Sequence, residues 1–126
     1  MERRVVVTGM GLVTSVGIGV EETWKGLLAG KSGIARITRF DPEGYVTQIA
    51  GEVKGFQPEL YMDKRDVRRM DRFVHFGMAA SLMATEQAGF GDKPFEGLEA
   101  TRFATILSSG IGGLESLEVE VRLSRK

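Results

Sequence analysis

The sequence opens with a short β-branched run that ends in glycines. Arg4 to Thr8 (RVVVT) has no polar alternation, which is typical of a strand buried on both faces, as in a parallel sheet. A glycine-rich stretch follows, up to Gly19. Gly30 then marks the expected end of the next segment, because glycine often ends a helix. That segment carries apolar residues on one helix face: Val20, Trp24, Leu27 and Leu28. The chain therefore begins with a predicted strand, a glycine-rich loop and a helix.

Further segments also have a clear pattern. Asp71 to Ala88 is the strongest helix prediction, and Gly89 follows it as a stop. Small side chains on its narrow face would let a neighbouring segment approach closely. The residues of that face are Phe73, Gly77, Ala80, Ala84 and Ala88. Gln48 to Val53 and Thr101 to Ser109 predict strands, and a loop with Gly91, Pro94 and Gly97 precedes the second. Leu114 to Lys126 fits both a helix and a strand.

Composition excludes several kinds of site. The 126 residues contain no cysteine, so the chain has no disulfide, no thiolate metal site and no cysteine nucleophile. Its single histidine, His75, excludes a site that needs two and is expected to be structural. Basic and acidic residues number 17 each, which argues against a dedicated nucleic-acid binder. Neither a signal peptide nor a membrane span is visible, so a cytoplasmic location is expected.

Two short motifs resemble phosphate-binding loops but lack residues that such loops need. Gly9-Met10-Gly11 begins like a dinucleotide-binding fingerprint, yet Thr14 replaces the third glycine and the helix starts too late. Gly30-Lys31-Ser32 resembles the end of a phosphate loop, but it ends a helix instead of joining a strand to one. We therefore expect ordinary turns at both places.

A basic segment precedes the long helix. On a helical wheel its cations fall within about 140°, with Val67 and Met70 on the opposite side as an apolar anchor. The cations are Lys64, Arg65, Arg68, Arg69 and Arg72. The stripe is either a solvated helix face or a local positive field that favours an acidic protein or a phosphate-bearing ligand.

The segment Ser108 to Leu114 (SSGIGGL) places three glycines around a single isoleucine, Ile111. One interpretation is a close approach of the backbone to a neighbour, with the isoleucine side chain projecting. The other is a strand-to-helix turn that needs a positive φ. Both remain open from the pattern alone.

Four segments together resemble the β-ketoacyl-acyl-carrier-protein synthases, especially the synthase II type of bacterial fatty-acid elongation. They are RRVVVTGMGLVTSVG, TWKGLLAGKSGI, RRMDRFVHFGMAA and SSGIGGLE, in this order and at similar spacing. The ordered set covers nearly the whole chain and is far more specific than any single motif.

The resemblance implies an α/β fold of the thiolase-like type, layered α-β-α-β-α in the complete enzyme, which acts as a homodimer. Complete members are several times longer, so residues 1–126 would be most of the N-terminal half of the synthase domain. The resemblance also implies that the chain is helical from Leu114 onward.

The reaction implied by the resemblance is a decarboxylating Claisen condensation. A cysteine thiolate takes the acyl group from acyl carrier protein, and two histidines assist loss of carbon dioxide from malonyl carrier protein. The resulting carbanion attacks the acyl thioester. No metal or organic cofactor is implied, because phosphopantetheine arrives on the carrier protein. None of the three catalytic residues falls in this segment, so it is expected to be inactive alone.

Residue by residue, the resemblance assigns two binding features. Ile111 would line and gate the acyl pocket, on a turn formed by Gly110, Gly112 and Gly113. Arg65, Arg68 and Arg69 would bind the acidic carrier protein near the pocket mouth. A polyketide-type ketosynthase or a cysteine-lacking chain-length partner would share these motifs. A short non-catalytic module that binds an acidic protein is the alternative from another class.

Overall fold

The computed structural model describes residues 3–90 and 99–125, so the predicted loop around Pro94 lies outside the described residues. The elements of this part of the chain are α1 (Val20–Leu28), β1 (Ile34–Arg36), β2 (Ile49–Gly51), α2 (Lys64–Val67), α3 (Arg72–Gln87) and α4 (Leu114–Ser124). Short 3-10 turns lie at Pro58–Leu60 and Ala100–Arg102. The strands β1 and β2 pair antiparallel, with Ala35 opposite Ala50.

Helix α1 has the predicted bounds. Gly19 precedes it with a φ of 88°, and the Glu22 carboxylate accepts a hydrogen bond of 2.8 Å from the Ile18 backbone N–H. An acidic side chain is favourable in the first turn because the helix dipole is positive there. Gly30 follows the helix with a φ of 64°, in the left-handed region that glycine adopts most easily.

The glycine-rich loop packs on the long helix α3 through the small face that the sequence predicts. A Cβ at Gly9 would overlap the carbonyl oxygen of Ala84, and a Cβ at Gly11 would overlap that of Ala80. Backbone atoms cannot move aside as a flexible side chain can. Glycine is therefore required at both positions for the loop to lie this close to the helix.

The same substitution at two glycines is expected to change stability in opposite directions. Gly11→Ala should lower the free energy of unfolding by about 1–3 kcal/mol, because the new methyl group has no space. Gly77→Ala should raise it by about 0.5–1 kcal/mol, since alanine favours the interior of a helix and nothing lies within 4 Å of a Cβ there. Urea denaturation of the protein that carries this chain measures both. Changes of equal sign would contradict the described packing.

Two predicted strands are wrong as regular elements. Residues 4–8 form no strand in the described structure, and the Val5 side chain is 96% exposed instead of buried. Residues 101–109 begin in the 3-10 turn and continue without a strand, with Ile106 90% exposed. A strand needs hydrogen bonds to a neighbour, and in the described residues neither segment has a paired strand beside it.

The strand prediction in 48–53, the long helix and the helical alternative for the C-terminal segment are confirmed. The predicted strand in 48–53 is β2, and its partner β1 was missed because its three residues have no distinctive pattern. Helix α3 occupies the predicted range, and Gly89 ends it with a φ of 80°. Helix α4 resolves the ambiguous C-terminal segment in favour of the helix.

Apolar surface is left largely uncovered in the described residues. Ala79 on α3 is the one fully buried apolar side chain among them, whereas Val5 to Val7 and Ile106 to Leu107 are exposed. Contiguous exposed apolar surface generally marks a region that packs against other protein. None of the helices in the described ranges has both the length and the hydropathy that a membrane crossing would need.

Candidate functional site

The basic segment is a single helical turn followed by a break. Helix α2 ends at Val67, and Asp71 adopts an extended conformation (φ −71°, ψ 157°) from which α3 starts. The predicted continuous helical stripe is therefore wrong, and the predicted anchor residue Met70 is exposed. The break is local, because the Met70 backbone N–H still donates a helical hydrogen bond to the Asp66 carbonyl oxygen.

The three arginines assigned to partner binding are free to meet a partner. Arg65, Arg68 and Arg69 are exposed, and none forms an ion pair with any described residue. The only side-chain hydrogen bond among the three in that part of the chain is from Arg68 Nε to the Lys64 carbonyl, at 3.3 Å. Unpaired exposed cations on one short segment create a local positive field.

Arg72 does not belong to that exposed surface. Its Nη2 donates to the Val53 carbonyl at 2.8 Å, and its guanidinium lies 4.9 Å from the centre of the Phe76 ring. Burial, followed by the charge of Arg39, lowers the pKa of Arg72. Arg72 therefore ties α3 to the segment after β2, and the exposed positive charge of the basic segment comes from the other cations.

His75 is structural, as expected for a lone histidine. Its side chain is buried, with 8% exposed, and its Nε2 lies 3.1 Å from the Val67 carbonyl oxygen. The bond joins α3 to the end of α2 and so holds the break between them.

The glycine turn combines both interpretations of its sequence. Gly112 has a φ of 80°, which explains one glycine as a conformational requirement. The backbone at Gly113 lies very close to Asp71, because a Cβ at position 113 would overlap the Asp71 carboxylate. Gly110 has neither property. Ile111 projects from the turn, with 79% of its surface exposed, and α4 starts three residues later.

A groove of about 520 Å³ separates the basic segment from α4. Arg68 and Arg69 line one side, and Glu115 and Glu120 line the other. Arg39 bridges toward α4 through an ion pair with Glu115, at 3.1 Å. The groove is therefore polar, with cations and carboxylates facing one another.

Glu52 places Arg39 at this groove. Its carboxylate accepts hydrogen bonds from Thr38 Oγ1 at 2.6 Å, from the Thr38 N–H at 2.9 Å and from the Arg39 N–H at 3.1 Å. The Thr38 hydroxyl and then its N–H hold the pKa of Glu52 below its ordinary value. The loop after β1 is thereby fixed to the segment after β2.

A smaller apolar cavity of about 260 Å³ lies beside the glycine turn, between α3 and residues 107–109. Its lining comprises Phe73, Val74, Gly77, Met78, Leu107, Ser108 and Ser109. Ile111 lies two residues after Ser109 and is not part of this lining. The predicted pocket turn thus lies at an apolar cavity, with its isoleucine pointing outward.

Sequence reasoning missed the residues that join the two predicted features. Asp71 and Ser116 lie 45 residues apart in sequence, and Ser116 Oγ donates to Asp71 Oδ1. Arg39 and Glu115 are 76 residues apart. No local periodicity reveals such pairs, although the start of α3 and the first turn of α4 were both predicted.

The arrangement can bind but offers no obvious nucleophile. Within residues 3–90 and 99–125, no group of three or more His, Asp or Glu side chains could hold a metal ion. The described residues instead supply an exposed basic segment, a polar groove and an apolar cavity at a glycine turn. The chain is thus an α/β segment in which an exposed basic segment and a polar groove lie near an apolar cavity.

Comparison with known proteins gives the family. The family described as "Beta-ketoacyl synthase, N-terminal domain" matches residues 2–125, so the chain belongs to this family. The 3-oxoacyl-[acyl-carrier-protein] synthase 2 of Vibrio cholerae serotype O1 is 49% identical over 117 residues, which cover 93% of this chain and 28% of the relative. The proteins of that name from Coxiella burnetii and Synechocystis are 43% and 39% identical, over 93% of this chain.

A solved structure gives the fold. "The ishigamide ketosynthase/chain length factor" superposes with a TM-score of 0.76 at 32% identity, covering 99% of this chain and 31% of that one. The predicted α/β, thiolase-like fold class is confirmed. The chain spans less than a third of the length of these relatives.

Proposed function

We propose that this chain is the N-terminal part of a 3-oxoacyl-[acyl-carrier-protein] synthase, an acyltransferase of fatty-acid elongation. The observation that carries the proposal is the 39–49% identity to synthases of that name, over 93% of this chain. Because the chain spans 27–28% of those relatives, the activity belongs to the longer protein that contains it.

The proposed reaction makes one carbon–carbon bond and releases carbon dioxide. A cysteine thiolate outside these 126 residues attacks the acyl thioester and expels the carrier-protein thiol. Malonyl carrier protein then loses carbon dioxide, and the carbanion attacks the enzyme thioester, which returns the thiolate. The segment described here contributes no catalytic residue, since it has no cysteine and its one histidine is structural.

The proposed partner of the basic segment is acyl carrier protein. Arg65, Arg68 and Arg69 are exposed and free of ion pairs in the described structure, which suits them to an acidic protein. The phosphopantetheine arm of the carrier delivers the acyl group, so the chain itself needs no bound cofactor. We also propose that the full-length protein forms a homodimer and acts in the cytoplasm.

One observation favours a second candidate. The matched ketosynthase/chain length factor supports a polyketide-type ketosynthase or a partner that lacks the nucleophile. The chain-length partner differs from the synthase in activity, because it would bind carriers without condensing them.

A condensation assay tests the proposal. Full-length protein is incubated with acyl carrier protein loaded with an acyl group and with malonyl carrier protein, and the products are identified by mass spectrometry. We expect a β-ketoacyl carrier protein and an equal amount of carbon dioxide. Residues 1–126 alone serve as the control and should give neither product. Carrier binding by the full-length protein without condensation would favour the chain-length partner instead.

A further inference from the structure

Asp71 contacts the glycine turn and α4 with both carboxylate oxygens. Its Oδ1 accepts a hydrogen bond from Ser116 Oγ, in the first turn of α4. Its Oδ2 lies where a Cβ at Gly113 would be. The carboxylate is therefore fitted against the residues that follow Ile111, and only a glycine at position 113 leaves space for it.

Helix capping does not explain this position. Asp71 is the N-cap residue of α3, where an aspartate side chain ordinarily accepts a hydrogen bond from the second or third backbone N–H of its helix. Its carboxylate makes no such bond. The side chain points away from its own helix and toward α4.

Two neighbouring contacts strengthen the same junction. The Phe73 ring lies 3.7 Å from the position of a Cβ at Gly112. The Arg39–Glu115 ion pair fixes α4 one residue before Ser116. The turn that carries Ile111 is thus seated on the first residues of α3, directly after Arg68 and Arg69.

We infer that Asp71 is a positioning residue for acyl-chain discrimination, because it holds the Ile111 turn against the start of α3. The inference rests on the proposed function together with the role that the resemblance assigns to Ile111, the gate of the acyl pocket. Asp71 acts through the turn and through Ser116, and its own carboxylate does not line the apolar cavity. Loosening this seat lets Ile111 move, so the pocket discriminates less between short and long chains.

The test compares kcat/KM for a short and for a long acyl chain in full-length protein. Asp71→Ala should reduce the ratio between the two values by about fivefold, the scale of one ordinary net hydrogen bond. Asp71→Asn keeps the Oδ1 acceptor and should restore most of the ratio. In Asp71→Ala, any change in the KM for carrier protein should be the same for the short and the long acyl chain, because Asp71 acts on the pocket and not on carrier binding.

Two further variants keep the test decisive. Ser116→Ala removes the same hydrogen bond from an exposed helix surface and should reproduce the loss even if Asp71→Ala unfolds. Asp63→Ala is the matched control, since Asp63 is the N-cap residue of α2 and its side chain also makes no capping bond. It should leave the ratio unchanged.

Different outcomes separate this inference from the proposed function. An unchanged ratio in Asp71→Ala and Ser116→Ala, while Ile111→Phe changes it, would overturn the positioning role alone. An unchanged ratio in Ile111→Phe as well would overturn the proposed gate. Failure of the unmodified protein to condense would overturn the proposed function.

Discussion

Reversing the charge of Arg68 and Arg69 together is expected to raise the KM for acyl carrier protein about a hundredfold at low salt. The physical reason is that two exposed cations without ion pairs in the described structure become anions. Against an acidic partner, like charges cost several kcal/mol, and about 2.7 kcal/mol corresponds to this factor. The measurement is steady-state condensation by full-length Arg68→Glu/Arg69→Glu over a range of carrier concentrations.

The control carries the same charge change on another face. Lys25→Glu/Lys31→Glu alters two exposed lysines at α1, outside the groove beside the basic segment. It should change KM by less than about threefold, and only through the overall field. The effect of the arginine variant should shrink as salt is added, because exposed charges are screened. An unchanged KM at low salt would exclude the basic segment as the docking surface.

Ile111→Phe is expected to shorten the longest acyl chain that the enzyme accepts. In the proposed gate, the larger ring would take space that the end of a long bound acyl chain needs, and forcing extra atoms into a filled site costs about 1–3 kcal/mol. We expect kcat/KM for the longest accepted chain to fall about a hundredfold, while the value for a short chain changes less than about threefold. Product chain lengths from the full-length variant provide the measurement.

Ile111→Leu is the control, because it keeps the side-chain volume and should preserve the chain-length profile. The turn itself should tolerate both variants, since Ile111 is exposed and the positive φ belongs to Gly112. A profile identical to that of the unmodified protein in Ile111→Phe would exclude Ile111 as the gate.

Helix positions were predictable because their information is local. The apolar periodicity and the terminal glycines Gly30 and Gly89 gave the bounds of α1 and α3, and the small face of α3 predicted a close neighbour. Strands were less predictable. Residues 4–8 have a strand-like pattern, but hydrogen-bond partners decide a strand, and a β-branched run does not show where its partner lies.

The candidate site was also predictable only where its information is local. The basic segment and the glycine turn are visible as local motifs, and the resemblance assigned them to partner and pocket. Their junction is not visible, because Asp71 and Ser116 meet across 45 residues. A helix start at Asp71 was predicted, but the helical wheel also continued the basic face across the helix break there and so wrongly included Arg72. The basic segment ends at that break, and the carboxylate of Asp71 contacts the glycine turn.

We propose that this chain contributes two separable functions to the full-length protein, carrier docking at Arg68 and Arg69 and chain-length control at Ile111. The most direct test is kcat/KM for carrier proteins loaded with a short and a long acyl chain, in both variants. We predict that Arg68→Glu/Arg69→Glu lowers both values by the same factor, whereas Ile111→Phe lowers only the long-chain value. Equal loss for both chains in Ile111→Phe, or a chain-dependent loss in the arginine variant, would contradict the claim.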